Sequence, residues 1–486
     1  MQATGKAEAG GLQAALARWV LPALAVYFLA QTLLRTALGG AFEPDEAELV
    51  LLARGFHLGI GSQPPLYEWG QALAFRLFGT NTFALIAHKN LWLFTAYAAT
   101  FAGLRRIAPP GAAAVGALQL IFVPNFAWEA QRSNSHTAAM AAMVCLTVWA
   151  FLRLDRAGGA TRTGDWLLFG LVVGLGGLSK ANYWLAPPAL ILAALTLPEW
   201  RARLADRRLA LALLVAAAVC APSYGVMLAH SQTTFSDTWE FSKGGTLVAG
   251  PLWITGLLRL AGELAAALAL PVLILGAACA LARRRPRPGP GEALLLRAAG
   301  IAALLAAAGI VLGNVGFVRG RWLMPVLLLA VPALTLAVLR AVPGALRWLS
   351  VAAAVMAVLL LVAIADLRLR GAGSDSLRVD VLAEMIAAGQ SPVPPIAGEH
   401  YLTGNLALHR PDWTYLPPYR TDALAGAREV LLVGVQDSPE AMARAVAEHG
   451  HTGALRVLSR QEVEVPYRFE DDETRRITLI RVELLP

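Results

Sequence analysis

Up to residue 365 the chain alternates long apolar runs with short polar loops, and beyond that point the alternation stops. The apolar runs cover residues 18–38, 81–104, 111–124, 136–154, 165–179, 183–198, 209–229, 252–282, 293–316, 322–340 and 348–365. Crossing the hydrocarbon core of a bilayer takes about 20 apolar residues of helix. The pattern therefore predicts about eleven transmembrane helices. The runs at 111–124 and 165–179 are the shortest. The first run is not expected to be a cleaved signal peptide, because it is long, lacks a small-residue cleavage site before Glu43-Pro44-Asp45, and is followed by further spans.

The polar loops give the orientation. Arg105-Arg106, Arg153 with Arg156 and Arg162, Arg201 with Arg203, Arg207 and Arg208, Arg283-Arg284-Arg285 with Arg287, and Arg340 with Arg347 fall in alternate loops. Cytoplasmic loops of membrane proteins carry the excess of Arg and Lys. The N-terminus, with Lys6 and Arg18, is placed on the same side. The loops 39–80, 125–135, 180–182, 230–250 and 317–321 then face outward, as do residues 366–486. That tail reads as a small α/β domain: a helix near Leu377–Ala388, a strand Glu429–Gly434, a helix Pro439–His449, and strands near Ala454–Leu458 and Arg476–Leu485. The expected architecture is a mainly α, polytopic membrane domain over 1–365 and a small α/β extracytoplasmic domain over 366–486.

Composition agrees with this reading. Hydrophobic residues make up 57% of the chain and charged ones 15%, against about 25% charged in an ordinary soluble protein. Soluble multidomain and disordered classes are excluded. The net charge of +8 divides unevenly: residues 1–365 hold 28 of the 41 Lys+Arg and 15 of the 33 Asp+Glu, for +13, and the tail carries −5. Basic residues split among loops on one membrane face do not make a nucleic-acid surface. Cys145, Cys220 and Cys279 all lie in apolar runs and read as small buried residues. His400, His409, His449 and His451 lack finger-like spacing with Cys, so no structural zinc is expected. Walker A, His-Glu-x-x-His and Gly-x-Ser-x-Gly motifs are absent.

Acids are rare in the membrane part, yet Glu43, Asp45, Glu46 and Glu48 crowd together just after the first span. Crowded carboxylates at a membrane edge suit a proton-accepting role. A helix over Ala47–Leu58 is expected to follow along the interface. The stiff segment Ser62-Gln63-Pro64-Pro65-Leu66-Tyr67 then returns the chain toward the membrane, with Tyr67 and Trp69 suited to the headgroup zone. Candidate cations on the outer side are Lys89, Arg132, Lys180, Lys243, Arg319 and Arg321, with His136 beside them. Lys180 stands out because lysine is scarce and an outward position runs against the positive-inside bias.

Pro44-Asp45-Glu46 followed by Gln63-Pro64-Pro65-Leu66 resembles the first outer loop of bacterial polyprenyl-phosphate-sugar glycosyltransferases. These are the GT-C fold enzymes of the protein O-mannosyltransferase and aminoarabinose transferase type (family 39/83-like). Trp128-Glu129-Ala130-Gln131-Arg132 leading to His136-Thr137, Gly174–Lys180, and Arg319 through Arg321-Trp322-Leu323-Met324-Pro325 follow in family-like order. The resemblance implies that Asp45 is the catalytic base, with Glu46 supporting it or binding acceptor, and that the sugar is inverted in one step. It further implies a donor sugar on a polyprenyl phosphate. Glu43, Gln63, Tyr67, Lys89, Arg132, His136, Lys180, Lys243, Arg319 and Arg321 are the expected substrate contacts. Gln63 departs from aminoarabinose-type relatives, which often carry Lys there.

The acceptor class stays open among lipid A, another glycan, a lipid and a protein, and a divalent metal is left open although no metal ligands are named. The expected setting is the bacterial inner membrane, with the N-terminus cytoplasmic and the tail periplasmic, capping the site. Trp239, Lys243 and Gly244-Gly245 in the 230–250 loop are expected to close the cavity. Two rival readings are a lipid or sugar transporter or flippase, and a non-catalytic envelope assembly subunit. A transporter would place paired charges at mid-membrane, whereas the acids here sit at an outer edge.

Overall fold

The computed structural model describes residues 2–53, 55–59, 63–155, 161–231, 251–418, 423–424, 426–470 and 472–485. Gly61, Ser62, Arg156, Trp239, Lys243 and Gly244-Gly245 lie outside the described residues. The helices are α1 (Gln2–Leu38), α2 (Pro44–Leu52), α3 (Leu66–Phe78), α4 (Thr82–Leu104), α5 (Pro110–Leu118), α6 (Pro124–Ala127), α7 (Glu129–Arg132), α8 (Ser135–Leu152), α9 (Thr163–Gly177) and α10 (Ala186–Leu195). They continue with α11 (Pro198–Leu204), α12 (Arg208–Ala229), α13 (Leu252–Ala282), α14 (Pro290–Leu312), α15 (Met324–Ala341) and α16 (Ala345–Arg368). The tail adds α17 (Val379–Gly389), α18 (His400–His409) and α19 (Pro439–Ala447), with strands β1 (Ile396–Gly398), β2 (Glu429–Val433), β3 (Leu455–Pro466) and β4 (Thr474–Leu484). Proline opens α2, α5, α6, α11, α14 and α19, where its missing N–H would be unsatisfied in any case.

Among the described residues seven helices are long and apolar enough to cross a membrane: Gly10–Leu38, Ser135–Leu152, Arg208–Ala229, Leu252–Ala282, Pro290–Leu312, Gly320–Ala341 and Ala345–Arg368. An eighth is gained if Pro110–Phe122 and Pro124–Arg132, bent by 87° to each other, count as one span. This is fewer than the eleven the apolar runs suggest. The run 81–104 carries His88-Lys89-Asn90 in its first half, which lowers its hydropathy. The runs 165–179 and 183–198 fold into the short segments Thr163–Gly177 and Ala181–Leu195. The run 111–124 ends where Pro124 breaks the helix and the chain turns. Leu258, Leu273, Leu281, Leu304 and Leu312 are exposed on these helices, as lipid-facing side chains must be.

The chain divides into two compact units. One comprises Met1–Ala30, Ser62–Leu66 and Lys89–Leu360, and the other Gln31–Gly61, Tyr67–His88 and Leu361–Pro486. In the first unit the core is built from α4, α5, α8, α9, α10, α14 and α15, rich in alanine and leucine. α9 and α12 approach closely through a small-xxx-small pair. A Cβ on Gly170 would lie 2.3 Å from the Ala212 carbonyl, and one on Gly174 2.7 Å from Val219.

In the second unit a mixed sheet of order β1-β2-β4-β3 has β1 and β2 parallel and β4 antiparallel to both of its neighbours. Leu431, Val433, Val465, Ile477 and Leu479 pack on one face with α2, α17 and α18. Val430, Leu432, Ile480 and Val482 pack on the other with α19. Because both faces are covered, β2 reads as an unbroken apolar run. The expected strand–helix–strand tail is present, and β1 and α18 are additions to it. α2 starts three residues before the expected Ala47 and ends at Leu52, short of Leu58.

Candidate active site

The loop that carries the acids is held from several sides, all within the second unit. Gly39 and Gly40 turn the chain with φ of 63° and 84°. A Cβ on Gly40 would lie 2.5 Å from the Asp375 carbonyl, so only glycine fits that turn. The buried Arg35 donates to the Gly39 carbonyl at 2.7 Å and the Ala41 carbonyl at 3.3 Å. The buried Arg368 donates to the same two carbonyls at 3.3 and 3.4 Å. Asn405 brackets Phe42: its Oδ1 accepts from the Phe42 N–H at 2.7 Å and its Nδ2 donates to the Phe42 carbonyl at 3.1 Å. Ser374 donates to Glu43 at 2.8 Å.

From this anchored turn α2 departs with Glu43 in extended backbone as its N-cap and Pro44 at its first position. Asp45 and Glu46 occupy the first turn, where the helix dipole favours negative charge. Successive helical residues point about 100° apart, and the two acids have different surroundings. Glu46 is fully buried, with Oε2 3.9 Å from Arg35 Nη2. Asp45 and Glu48 are half-buried. Asn405→Ala is expected to cost about 1–3 kcal/mol by leaving the Phe42 backbone unsatisfied. It should also lower turnover roughly tenfold by loosening the approach to α2. A thermal melt and a transfer assay check both effects.

Tyr67 is fully buried, its ring 4.6 Å from that of His88. His88 in turn bonds Gln71 at 3.0 Å through Nδ1. Tyr67, expected at the headgroup zone, is thus a fully buried residue.

The cations gather in the first unit. The α7–α8 turn runs through Ser133 and Asn134, the latter in left-handed backbone at φ 62°. Three basic side chains from distant parts of the chain converge on it. Lys89 of α4, fully buried, donates to the Ser133 carbonyl at 3.3 Å. Arg321 donates to Asn134 Oδ1 at 2.6 Å, and Lys180 to Thr137 Oγ1 at 2.9 Å. His136 is the second residue of α8, between the anchor points of Arg321 and Lys180, and Arg132 stacks on Trp128 at 5.7 Å.

Lys180 owes its place to glycines. A Cβ on Gly176 would lie 2.1 Å from the Tyr183 ring and one on Gly177 2.5 Å from Trp184, so the chain can fold back tightly just past α9. Asn182 Nδ2 donates to the Trp322 carbonyl at 2.9 Å, tying this turn to the one that carries Arg319 and Arg321. Pro64 and Pro65 are buried beside half-buried Gln63, and the Leu66 N–H donates to the Leu178 carbonyl at 2.9 Å.

Sequence reasoning missed Arg259, which lies inside α13. Its guanidinium sits 4.9 Å from the centre of the Phe317 ring, which Arg319 also approaches at 5.3 Å. Its Nη1 is buried without a hydrogen-bond partner among the described residues. Glu263 lies four residues on and faces Gly320, where a Cβ would be 2.6 Å from its Oε2. The available signal was an ionisable pair inside an apolar span, where such residues are rare and functional by default. Arg35 and Arg368, at the ends of α1 and α16, were missed as well. Among the described residues no group of three or more His, Cys, Asp or Glu side chains is placed to hold a metal ion.

A half-buried carboxylate on a fixed loop can accept a proton, and a cluster of cations can hold a phosphate. Comparison with known proteins places the chain among glycosyltransferases. Residues 62–225 match the family model for dolichyl-phosphate-mannose-protein mannosyltransferase. The lipopolysaccharide core galacturonosyltransferase RgtA of Rhizobium johnstonii is 32% identical over 410 residues, 80% of this chain and 80% of its own. RgtB of the same organism, also a lipopolysaccharide core galacturonosyltransferase, is 32% identical over 205 residues, 42% of this chain and 41% of its own. In fold the chain resembles ArnT from Cupriavidus metallidurans in the apo state, with a TM-score of 0.60 at 16% identity over 99% of this chain and 98% of that one. ArnT bound to undecaprenyl phosphate gives the same TM-score and identity over 95% of this chain and 98% of that one. The chain is a multi-pass membrane enzyme and belongs to the family of GT-C fold, polyprenyl-phosphate-sugar glycosyltransferases that includes the lipopolysaccharide core galacturonosyltransferases.

Proposed function

We propose that this enzyme transfers a uronic acid, galacturonic acid or a close relative, from a polyprenyl-phosphate donor to a hydroxyl of the lipopolysaccharide core, at the periplasmic face of the inner membrane. The observation that carries the donor half is that Lys89, Lys180 and Arg321 are all anchored on the five residues from Ser133 to Thr137, the α7–α8 turn and the first residues of α8. Three cations beside the N-terminus of the 18-residue α8 suit a lipid-linked phosphate. Arg259 and Arg319 add two guanidinium groups on the Phe317 ring. The sugar and the acceptor follow the names of the 32%-identical relatives.

In the reaction the acceptor oxygen attacks the anomeric carbon as the bond from that carbon to the phosphate oxygen breaks. The bonding pair leaves with the lipid phosphate, and the hydroxyl proton passes to Asp45. A single displacement inverts the anomeric centre. Glu46 supports α2 from within through Arg35 and does not itself take the proton. Residues 1–365 form the catalytic membrane domain in this reading, and residues 366–486 form a periplasmic domain that serves the acceptor.

Deletion of the gene in its host, with mass spectrometry of the released lipopolysaccharide core, tests the assignment. The expected result is a core lighter by one or more uronic acid residues, restored on complementation. An unchanged core would overturn the acceptor and sugar together.

A further inference from the structure

The second unit contains a cleft of about 480 Å³ at the carboxyl ends of its two parallel strands. That volume lies in the range of small-ligand sites, and in α/β sheets ligands collect at the carboxyl ends of parallel strands. Glycine lets the chain pack tightly at the strand ends. Gly398, at φ 131°, would place a Cβ 2.1 Å from the Val433 carbonyl, and Gly434, at φ 73°, one 2.6 Å from Leu402. The opposite wall is one face of α19. Ala441, Arg444, Ala445 and Glu448 follow the i, i+3, i+4, i+7 spacing that lines up on a helix, and the two alanines leave room between the two charges.

The rest of the lining fixes the chemistry. Gln436, His400 and Arg444 offer donors, and Glu399, Glu448 and the Gln436 carbonyl offer acceptors. Glu399 is already oriented by two bonds from Arg475 Nη2 at 2.7 and 2.9 Å. Among the described residues the cleft is lined by no Phe, Tyr or Trp, and Val435 is its one branched aliphatic residue. Mixed donors and acceptors on long polar side chains, set among glycines and alanines, match a hydroxyl-rich ligand rather than a peptide, whose side chains need apolar pockets.

The cleft is also tied to the acid loop. His400 Nδ1 lies 3.9 Å from Glu48, one helical turn along α2 from Asp45, and its Nε2 lies 4.0 Å from Glu448 in the cleft wall. α18, which starts at His400, is pressed onto α2: a Cβ on Gly404 would lie 2.0 Å from the Ala47 carbonyl. We propose that this cleft is an acceptor subsite, binding sugars of the acceptor glycan remote from the hydroxyl that is attacked. The proposal rests on the reading of Asp45 as the residue that meets the acceptor hydroxyl.

The test uses the full-length enzyme in lipid nanodiscs with saturating donor. The probes are a core oligosaccharide released from rough-form lipopolysaccharide and, for comparison, a short monosaccharide glycoside. Arg444→Glu reverses the charge of one wall, and Ala441→Trp fills the space from the surface of the same helix. The expected result is a rise of about tenfold in KM for the oligosaccharide in each variant, with donor KM within about twofold of the parent. The short glycoside, which cannot reach the cleft, should be used equally by all three proteins. Unchanged oligosaccharide KM in both variants, with parental melting temperatures, overturns the subsite. If one variant fails to fold, the other decides. Asp45→Asn separates the two readings: an inactive Asp45→Asn beside unaffected cleft variants sinks the subsite and leaves the base, whereas an active Asp45→Asn beside impaired cleft variants does the reverse.

Discussion

Asp45→Asn is expected to lower transfer by about 10²–10⁴ while the protein still folds and inserts, because the amide keeps the shape of the side chain and loses the basic oxygen. Several features single out Asp45 among the four clustered acids. It lies in the first turn of α2, whose entry is fixed by Arg35, Arg368 and Asn405. Glu43 is the N-cap and accepts from Ser374 at 2.8 Å, Glu46 is sealed inside beside Arg35, and Glu48 faces His400 at 3.9 Å. Glu46→Gln should therefore behave differently. Removing the charge that faces a buried guanidinium leaves Arg35 poorly compensated, so the loss falls on stability first. Purified variants, compared by melting temperature and by turnover with a polyprenyl-phosphate sugar, separate the two effects. Near-normal turnover by a folded Asp45→Asn protein would remove Asp45 as the base.

The helical membrane architecture was legible because burial in lipid leaves a one-dimensional trace, the long apolar run. The count of spans was less so, since Thr163–Gly177 and Ala181–Leu195 are apolar but short, and the run 111–124 is interrupted by the bend at Pro124. In the tail, β2 and α19 carry the ordinary patterns of a strand covered on both faces and a one-sided helix. α18 escaped notice because Tyr401 through Ala407 are buried all round, which erases the amphipathic period. The acid loop announced itself by composition, but its supports did not. Asn405 and Phe42 are 363 residues apart, and no local pattern joins them. The cations Lys89, Lys180 and Arg321 were recognisable individually from the outward position that the loop charges predict for them. Their meeting at one turn depends on the left-handed Asn134 and on glycine packing around Tyr183, which are facts of three dimensions.

Lys180→Ala and Arg321→Ala are each expected to reduce kcat/KM for the donor by roughly ten- to hundredfold, the worth of one charge-assisted hydrogen bond. Acceptor KM should change little. The loss should appear in kcat as well as in donor KM. The lipid phosphate leaves with more negative charge than it carries in the bound donor, so a cation beside it binds the transition state more tightly than the ground state. Arg321→Lys should recover part of the activity: the positive charge remains, but a lysine lacks the planar fork that can hold Asn134 and phosphate oxygens together. The double variant is expected to fall short of the product of the single losses, because both side chains are anchored within the four residues from Asn134 to Thr137 and would share one anion. Initial rates measured across donor concentrations at fixed acceptor, then the reverse, distinguish these outcomes. Unchanged donor dependence in both single variants would show that the phosphate is held elsewhere. Arg259 and Arg319, both close to the Phe317 ring, would then be the next cations to replace.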